Sequence, residues 1–436
     1  MSAATLLQIE SAQRPGNAQS AIARERGAQR LVTAFVLTGL AFMLLPGTFL
    51  GVWNLISISE SRSVTTLSAA WIQAHGHAQI FGWIGTFILG IGLYSLHKMQ
   101  RSAPFPLSRG WTCWTLWSAG VLLRWATNIY AWHWRVLLTA SALLELTAFV
   151  LFQRSVRRHR KPEPGAKSEA WMILVFASTF GFLAALIGNG ALCLVVALDN
   201  SGPAFPHDLD QRLLVLSTWG FLVPAIWGFN AKWLPVFIGL KPSSQTGLIG
   251  GLALNVAGVI AALCGLFKLS SLLLLSGSIV IILALRIWER AQNLPKILNV
   301  HASFPTFVRI AYVWLGVAAI LTVWATGADR AGGIWGASRH ALTVGFIAMM
   351  VFAIGQRVLP AFCGMKILFS PALMLWCLML LNLGCLLRVA SEIPAYEGYW
   401  KPAWHTLPVS AVTELLAVTL FAVNIAVSIL QPMKRT

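Results

Sequence analysis

The sequence predicts an all-α, polytopic membrane protein of about twelve transmembrane helices, and three observations predict it. Mean hydropathy is +0.72 with only 11% charged residues, whereas a soluble domain carries roughly 25%. Apolar runs long enough to cross roughly 30 Å of hydrocarbon, about 20 residues each, recur twelve times along the chain. The 32 Lys and Arg outnumber the 14 Asp and Glu, and they sit in short segments between those runs. In a soluble chain that surplus would point to nucleic acid. Here its placement follows the positive-inside rule, so the partner it implies is the lipid bilayer and not nucleic acid.

Residues 1–30 mix Arg14, Arg24, Arg26 and Arg30 with Ser, Ala and Gln. They lack the apolar core of a signal peptide and are read as a cytosolic tail. The spans follow at 31–56, 71–97, 111–130, 134–153, 170–198, 211–238, 246–266, 268–288, 305–326, 336–358, 370–390 and 404–430. A backbone in lipid must satisfy its own hydrogen bonds, so each is expected to be a helix. Residues 431–436 close the chain as a short cytosolic C-terminus. With the N-terminus inside, 21 Lys and Arg fall on the tail and the even-numbered connections, and 5 fall on the other side. That asymmetry puts both termini in the cytoplasm.

The longest cytosolic connections fall after spans four and eight, dividing one membrane domain into three four-helix units, 31–154, 170–288 and 305–430. A transporter built from two halves would place its long loop after helix six. A short internal repeat supports the three-unit division. Lys232-Trp-Leu-Pro-Val-Phe-Ile-Gly-Leu-Lys241 ends span six, and Arg357-Val-Leu-Pro-Ala-Phe-Cys-Gly-Met-Lys366 ends span ten 125 residues later. Residues 90–98 of span two are their fainter counterpart.

Six cysteines (113, 193, 264, 363, 377 and 385) lie in or beside apolar runs, with no Cys-x-x-Cys and no Cys-x-x-Cys-His. Structural disulfides, zinc clusters and covalently attached haem are therefore not expected. The nine histidines are more informative. His75, His77, His133, His207, His340 and His405 all fall at or just inside the outer face. His75 and His340 lie at matching depth on helices that the repeat relates. His75 and His77 are two residues apart, about 200° around a regular helix, so only one can point at a given cofactor. His75 shares its side with Gly82, Gly85 and Gly92, and Gly76 adjoins it, so a neighbouring helix or a flat ring could approach closely there. Taken singly, each of these histidines is more often a wetted interfacial residue than a ligand.

Charges inside the spans add a second clue. Arg124, Arg212, Arg339 and Arg388 map to the outer half, while Glu145 and Glu414 are the only carboxylates placed well inside spans. Buried cations without protein anions call for an anionic ligand, and haem propionates are such anions. Glu145 and Glu414 could instead relay protons or pair with a buried arginine.

The segment Gln73-Ala74-His75-Gly76-His77-Ala78-Gln79-Ile80-Phe81-Gly82, together with Ser338-Arg339-His340-Ala341-Leu342-Thr343-Val344-Gly345, resembles the His-x-His and His-Ala-Leu-Thr-Val-Gly signatures of the NnrS family. The resemblance implies a twelve-helix protein of the bacterial cytoplasmic membrane that holds haem and copper and acts in the response to nitric oxide. Haem bound noncovalently by His75 and His340 is the first expectation, with Gly76 leaving room for the ring and Arg124 or Arg339 pairing with its propionates. Copper would take its ligands from the same set extended by His77 or His405.

Ala74-His75-Gly76 is also distantly similar to a haem-ligand segment in the catalytic subunit of haem-copper oxidases and nitric oxide reductases. The departures are large. Span six reads Trp219-Gly-Phe-Leu-Val-Pro224 where oxidases carry a copper-ligating His and a Tyr, and span seven has no His-His pair. Oxygen reduction is therefore not expected. Two rival readings remain open: a redox enzyme related to nitric oxide reductase, with an electron donor the sequence does not name, and a cofactor-free transporter using Glu145, Glu414 and the arginines.

Overall fold

The computed structural model describes residues 15–99, 105–157, 169–199, 202–295, 300–364 and 368–430. Among them there is no β-strand, and twelve helices account for the architecture. The first, α1 (15–61), runs from Pro15–Phe42 through a π-helical stretch, Met43–Phe49, into Leu50–Ser61. Pro46 sits in that stretch and has no N–H to donate, which breaks the regular ladder there. Next come α2 (69–99), α3 (Leu107–Tyr130), α4 (Trp134–Arg157), α5 (Ala170–Asp199), α6 (207–238) and α7 (Gln245–Leu263). They are followed by α8 (Phe267–Leu285), α9 (Phe304–Ala328), α10 (333–362), α11 (Pro371–Tyr396) and α12 (Ala403–Leu430). Eleven are long and apolar enough to cross a membrane by length and composition. The remaining one, α3, has the length but carries Arg109 and Arg124.

Leu198 (78% exposed), Leu283 (70%) and Val136 (69%) point outward from different helices. So much exposed aliphatic surface suits lipid and not water, and the protein is a multi-pass membrane protein that contacts the bilayer.

Two helices run further than the apolar spans. The proposed tail is already helical from Pro15 and continuous with the first span. It is tied to α2 by the Tyr94 hydroxyl, which donates to Glu25 at 2.6 Å. Span eleven also runs further than its apolar run suggested, since Glu392 lies inside α11. The proposed cytosolic C-terminus at 431–436, and most of the connection after span four, lie outside the described residues.

The three-unit division has a structural counterpart. The second helix of each unit switches to a π-helical segment after a similar length. Ala78–Gly85 follows a start at Ala69, Leu216–Leu222 a start at His207, and Ala341–Ala348 a start at Gly333. These are intervals of nine, nine and eight residues. The two later segments start 125 residues apart (216 and 341), the same spacing as the sequence repeat. The end of α6 at Gly239 and of α10 near Gly364 are also 125 apart, both with left-handed φ (73° and 87°). A glycine is what allows a helix to terminate in that region.

The third helices repeat as well. Gly120, Gly258 and Gly384 each lie thirteen residues after their helix begins, at 107, 245 and 371. Each is packed against the fourth helix, where an added Cβ would lie 3.0 Å from the Ser141 carbonyl oxygen, 3.2 Å from that of Ser270 and 3.2 Å from that of Ser410. The glycines are what let the third and fourth helices approach so closely.

Candidate functional site

A cavity of about 540 Å³ is lined by residues of all three units, among them His75, His77, Arg124, Asn189, Arg339 and His340. That volume lies in the range of small-molecule and cofactor pockets.

His75 is positioned by α1. Its Nδ1 lies 2.8 Å from the Gly47 carbonyl in the π-helical stretch. A carbonyl can only accept, so Nδ1 carries the proton and Nε2 keeps its lone pair. Gly51 lets the ring settle, since a Cβ there would lie 2.5 Å from His75 Cε1. Beside it, Gly76 lines the cavity, and an added Cβ would meet nothing within 4 Å.

His340 is held in the same tautomer. Its Nδ1 donates to the Gly336 carbonyl at 2.9 Å and lies 3.1 Å from Glu392 Oε2. The N-terminus of α10 is fixed a turn earlier. Asp329 accepts from the backbone N–H groups of Gly332 and Trp335 at 2.5 and 2.6 Å, and Glu397 accepts from those of Arg330, Ala331 and Gly333. Carboxylates at a helix N-terminus satisfy its orphan donors and its dipole.

His77 is turned the other way. Its Nε2 meets Glu145 Oε2 of α4 at 3.2 Å, and its ring packs on Phe81 with centroids 4.9 Å apart. The two neighbouring histidines thus point at different helices, as their angular separation required. Their register, however, alters the repeat. The residue immediately before the π segment is His77 in α2, Val215 in α6 and His340 in α10. The repeat partner of His340 is therefore His77, although His75 shares its tautomer. Depth along a span, the criterion used on the sequence, cannot see the π register.

The arginines also need a corrected account. Arg388 makes a two-pronged pair with Glu392, Nε to Oε2 at 3.1 Å and Nη2 to Oε1 at 3.2 Å. It is not left without a protein anion. Asp210, Glu392 and Glu414 line the same cavity as Arg124, Arg339 and Arg388, so the cation surplus read from the sequence is smaller than expected, although of the three arginines only Arg388 makes an ion pair among the described residues. The sequence missed Glu392 because the apolar run ended a turn too soon. The four-residue spacing to Arg388 was the available signal. Arg339 donates to Gln211 of α6. Arg124 is 1% exposed. It donates from Nη1 to Cys193 Sγ at 3.2 Å and stacks over the Phe205 ring at 4.2 Å. Gln73 clasps the Phe205 backbone in both directions, at 3.0 and 2.8 Å.

A family described as a domain of unknown function (DUF8744) matches residues 306–430. The match spans α9 to α12, the unit that carries His340, Arg388, Glu392 and Glu414. Among curated proteins none matches the chain.

Among the described residues no group of three or more His, Cys, Asp or Glu is arranged to hold a metal ion. Of the histidines expected to serve copper, His77 is engaged by Glu145, and His405 is exposed at the start of α12, apart from the cavity lining. The donor set does not fit a copper ion. Haem makes a smaller demand, two imidazoles with free Nε2 atoms and a flat space between them. His75 and His340 both line the cavity with Nδ1 engaged by a backbone carbonyl, and Gly76 leaves open space beside His75.

Proposed function

We propose that this chain is a haem-binding protein of the bacterial cytoplasmic membrane, with both termini in the cytoplasm, acting in the response to nitric oxide. The observation that carries the reading is the shared tautomer of His75 and His340. Each imidazole is anchored through Nδ1 by a backbone carbonyl and keeps Nε2 free on one cavity. Ligating histidines are characteristically held this way by their other ring nitrogen. Glu392, 3.1 Å from His340 Nδ1, helps fix the orientation of that ring, as a carboxylate behind a ligating imidazole does. Arg124 or Arg339 would hold the propionates, and the apolar lining would keep water from the ring. A haem held by His75 and His340 would supply one-electron chemistry at this site.

The chain's own balanced charges favour a second reading. Three acids line the same cavity as three arginines, and a lining that carries both signs of charge suits a cofactor-free transporter with a charged path. An absorption spectrum separates the two. The purified protein, expressed with adequate haem, should show a Soret band. His75→Ala and His340→Ala should each abolish or strongly shift it in protein that still elutes as a folded species, while His133→Ala should leave it unchanged. No Soret band in the wild type, or an unaltered band in both outer-face variants, would overturn the haem reading.

A further inference from the structure

Units one and three carry matching chemistry on the repeated scaffold, and the middle unit carries none of it. Four residues after the third-helix glycine stands Arg124 in Gly120-Val-Leu-Leu-Arg124, Arg388 in Gly384-Cys-Leu-Leu-Arg388, and Ala262 in the middle unit. Opposite each glycine the fourth helix places Glu145, Leu274 and Glu414, with Cγ of each glutamate 2.8 and 2.6 Å from the added Cβ and Cγ of Leu274 at 2.9 Å.

The two arginines differ in one respect. Four residues beyond Arg388 is Glu392, which pairs with it. Four residues beyond Arg124 is Asn128, a neutral amide whose Nδ2 donates to the Ala70 carbonyl at 3.0 Å. Of the acids nearby, Glu145 is bonded to His77, and Asp210 shares the cavity lining with both Arg124 and Arg339. Among the described residues neither of these arginines makes an ion pair. Arg124 keeps its Nε–H without any acceptor. Asn189, 1% exposed and on the same cavity, has neither its amide nitrogen nor its oxygen paired. A buried guanidinium without a carboxylate and a buried amide N–H without an acceptor are each costly, and one anionic acceptor would serve both donors.

We infer that Arg124 and Asn189 form a binding site for a planar oxyanion of the carboxylate type. The guanidinium edge formed by Nε and Nη2 grips both oxygens side-on, the geometry in which arginine binds carboxylates best. Asn189 Nδ2 supplies a third donor, and the Phe205 ring fixes the guanidinium plane. The anion does for Arg124 what Glu392 does for Arg388. A free ion and a carboxylate carried on a larger ring share this chemistry, and the site stands without the haem reading.

Isothermal titration of the purified full-length chain with sodium formate, before and after haem loading, tests it. Saturable binding to the haem-free protein is expected, weakened at least tenfold by Arg124→Gln, by Asn189→Leu and by Asn128→Glu. The last variant writes the Arg388–Glu392 arrangement into unit one and gives the guanidinium an anion of its own. Asn189→Leu is close in volume and keeps the test decisive if Arg124→Gln does not fold. Loss of formate binding on haem loading assigns the site to a ring carboxylate, and retention assigns it to a free anion; either upholds the site. No saturable binding to the haem-free protein, or equal affinity in all three variants and the wild type, would overturn it. Formate binding by a protein that shows no Soret band would sink the haem reading alone.

Discussion

The middle four-helix unit and its two neighbours share a scaffold and differ in what they place on it. All three have the π segment in the second helix and the close-packed glycine in the third. In units one and three the equivalent positions hold His77 and His340, Arg124 and Arg388, and Glu145 and Glu414. In the middle unit they hold Val215, Ala262 and Leu274. The helix switches and close approaches therefore do not depend on the charged residues. Backbone geometry and small residues set the architecture, and the polar groups are additions that two units carry for chemistry. Intramembrane ionisable residues are costly to keep, so their absence from the middle unit is what packing alone would favour.

The largest effect is expected where a charged addition is cut in half. Glu392→Leu leaves the Arg388 guanidinium, 7% exposed, without its carboxylate, and removing one partner of a buried pair costs about 3–5 kcal/mol. Thermal denaturation in detergent should show that loss. The double variant Arg388→Met, Glu392→Leu should recover most of it, because unit three then resembles the uncharged middle unit. A single variant that costs under about 1 kcal/mol, or a double variant no better than the single, would show that the pair is not what neutralises Arg388.

A smaller and more uniform effect is expected at the shared scaffold. Gly120→Ala, Gly258→Ala and Gly384→Ala each drive a methyl against a serine carbonyl of the facing helix. A backbone oxygen cannot rotate aside, and overpacking of this kind costs about 1–3 kcal/mol. Similar losses in all three units, read from melting midpoints, would sharpen the equivalence. A neutral result at one glycine would remove that unit from the repeat.

The parts legible in the sequence were those written in apolar length and loop charge. Twelve spans, their grouping in fours and the common fate of spans six and ten could be read directly. What could not be read was register. A π segment adds a residue to a helical turn without any hydropathic sign, so His75 was matched to His340 by depth while the backbone matches His77. Glu392 was lost because a buried ion pair interrupts an apolar run just as a loop does. Gly120-Val-Leu-Leu-Arg124 and Gly384-Cys-Leu-Leu-Arg388 were visible as letters, but no spacing rule singled them out. Only the facing carbonyls and glutamates make them equivalent.

The smallest effects are expected in the middle unit itself. Val215 and Leu274 line the cavity at the positions of the histidines and glutamates, and both are apolar, so what they offer a ligand is contact area and nothing directional. Leu274→Met conserves volume and should cost less than about 1.5 kcal/mol. Val215→Ile adds one methylene on a side that is only partly buried. Neither change touches a hydrogen bond, so neither should move the Soret band of haem-loaded protein or alter formate affinity more than twofold. Both variants should be measured beside His340→Ala in one preparation, because the contrast between them is the quantity of interest. If Leu274→Met shifts the spectrum as far as His340→Ala does, the middle unit is not a bare scaffold. The division between architecture and chemistry would then have to be redrawn through all three units.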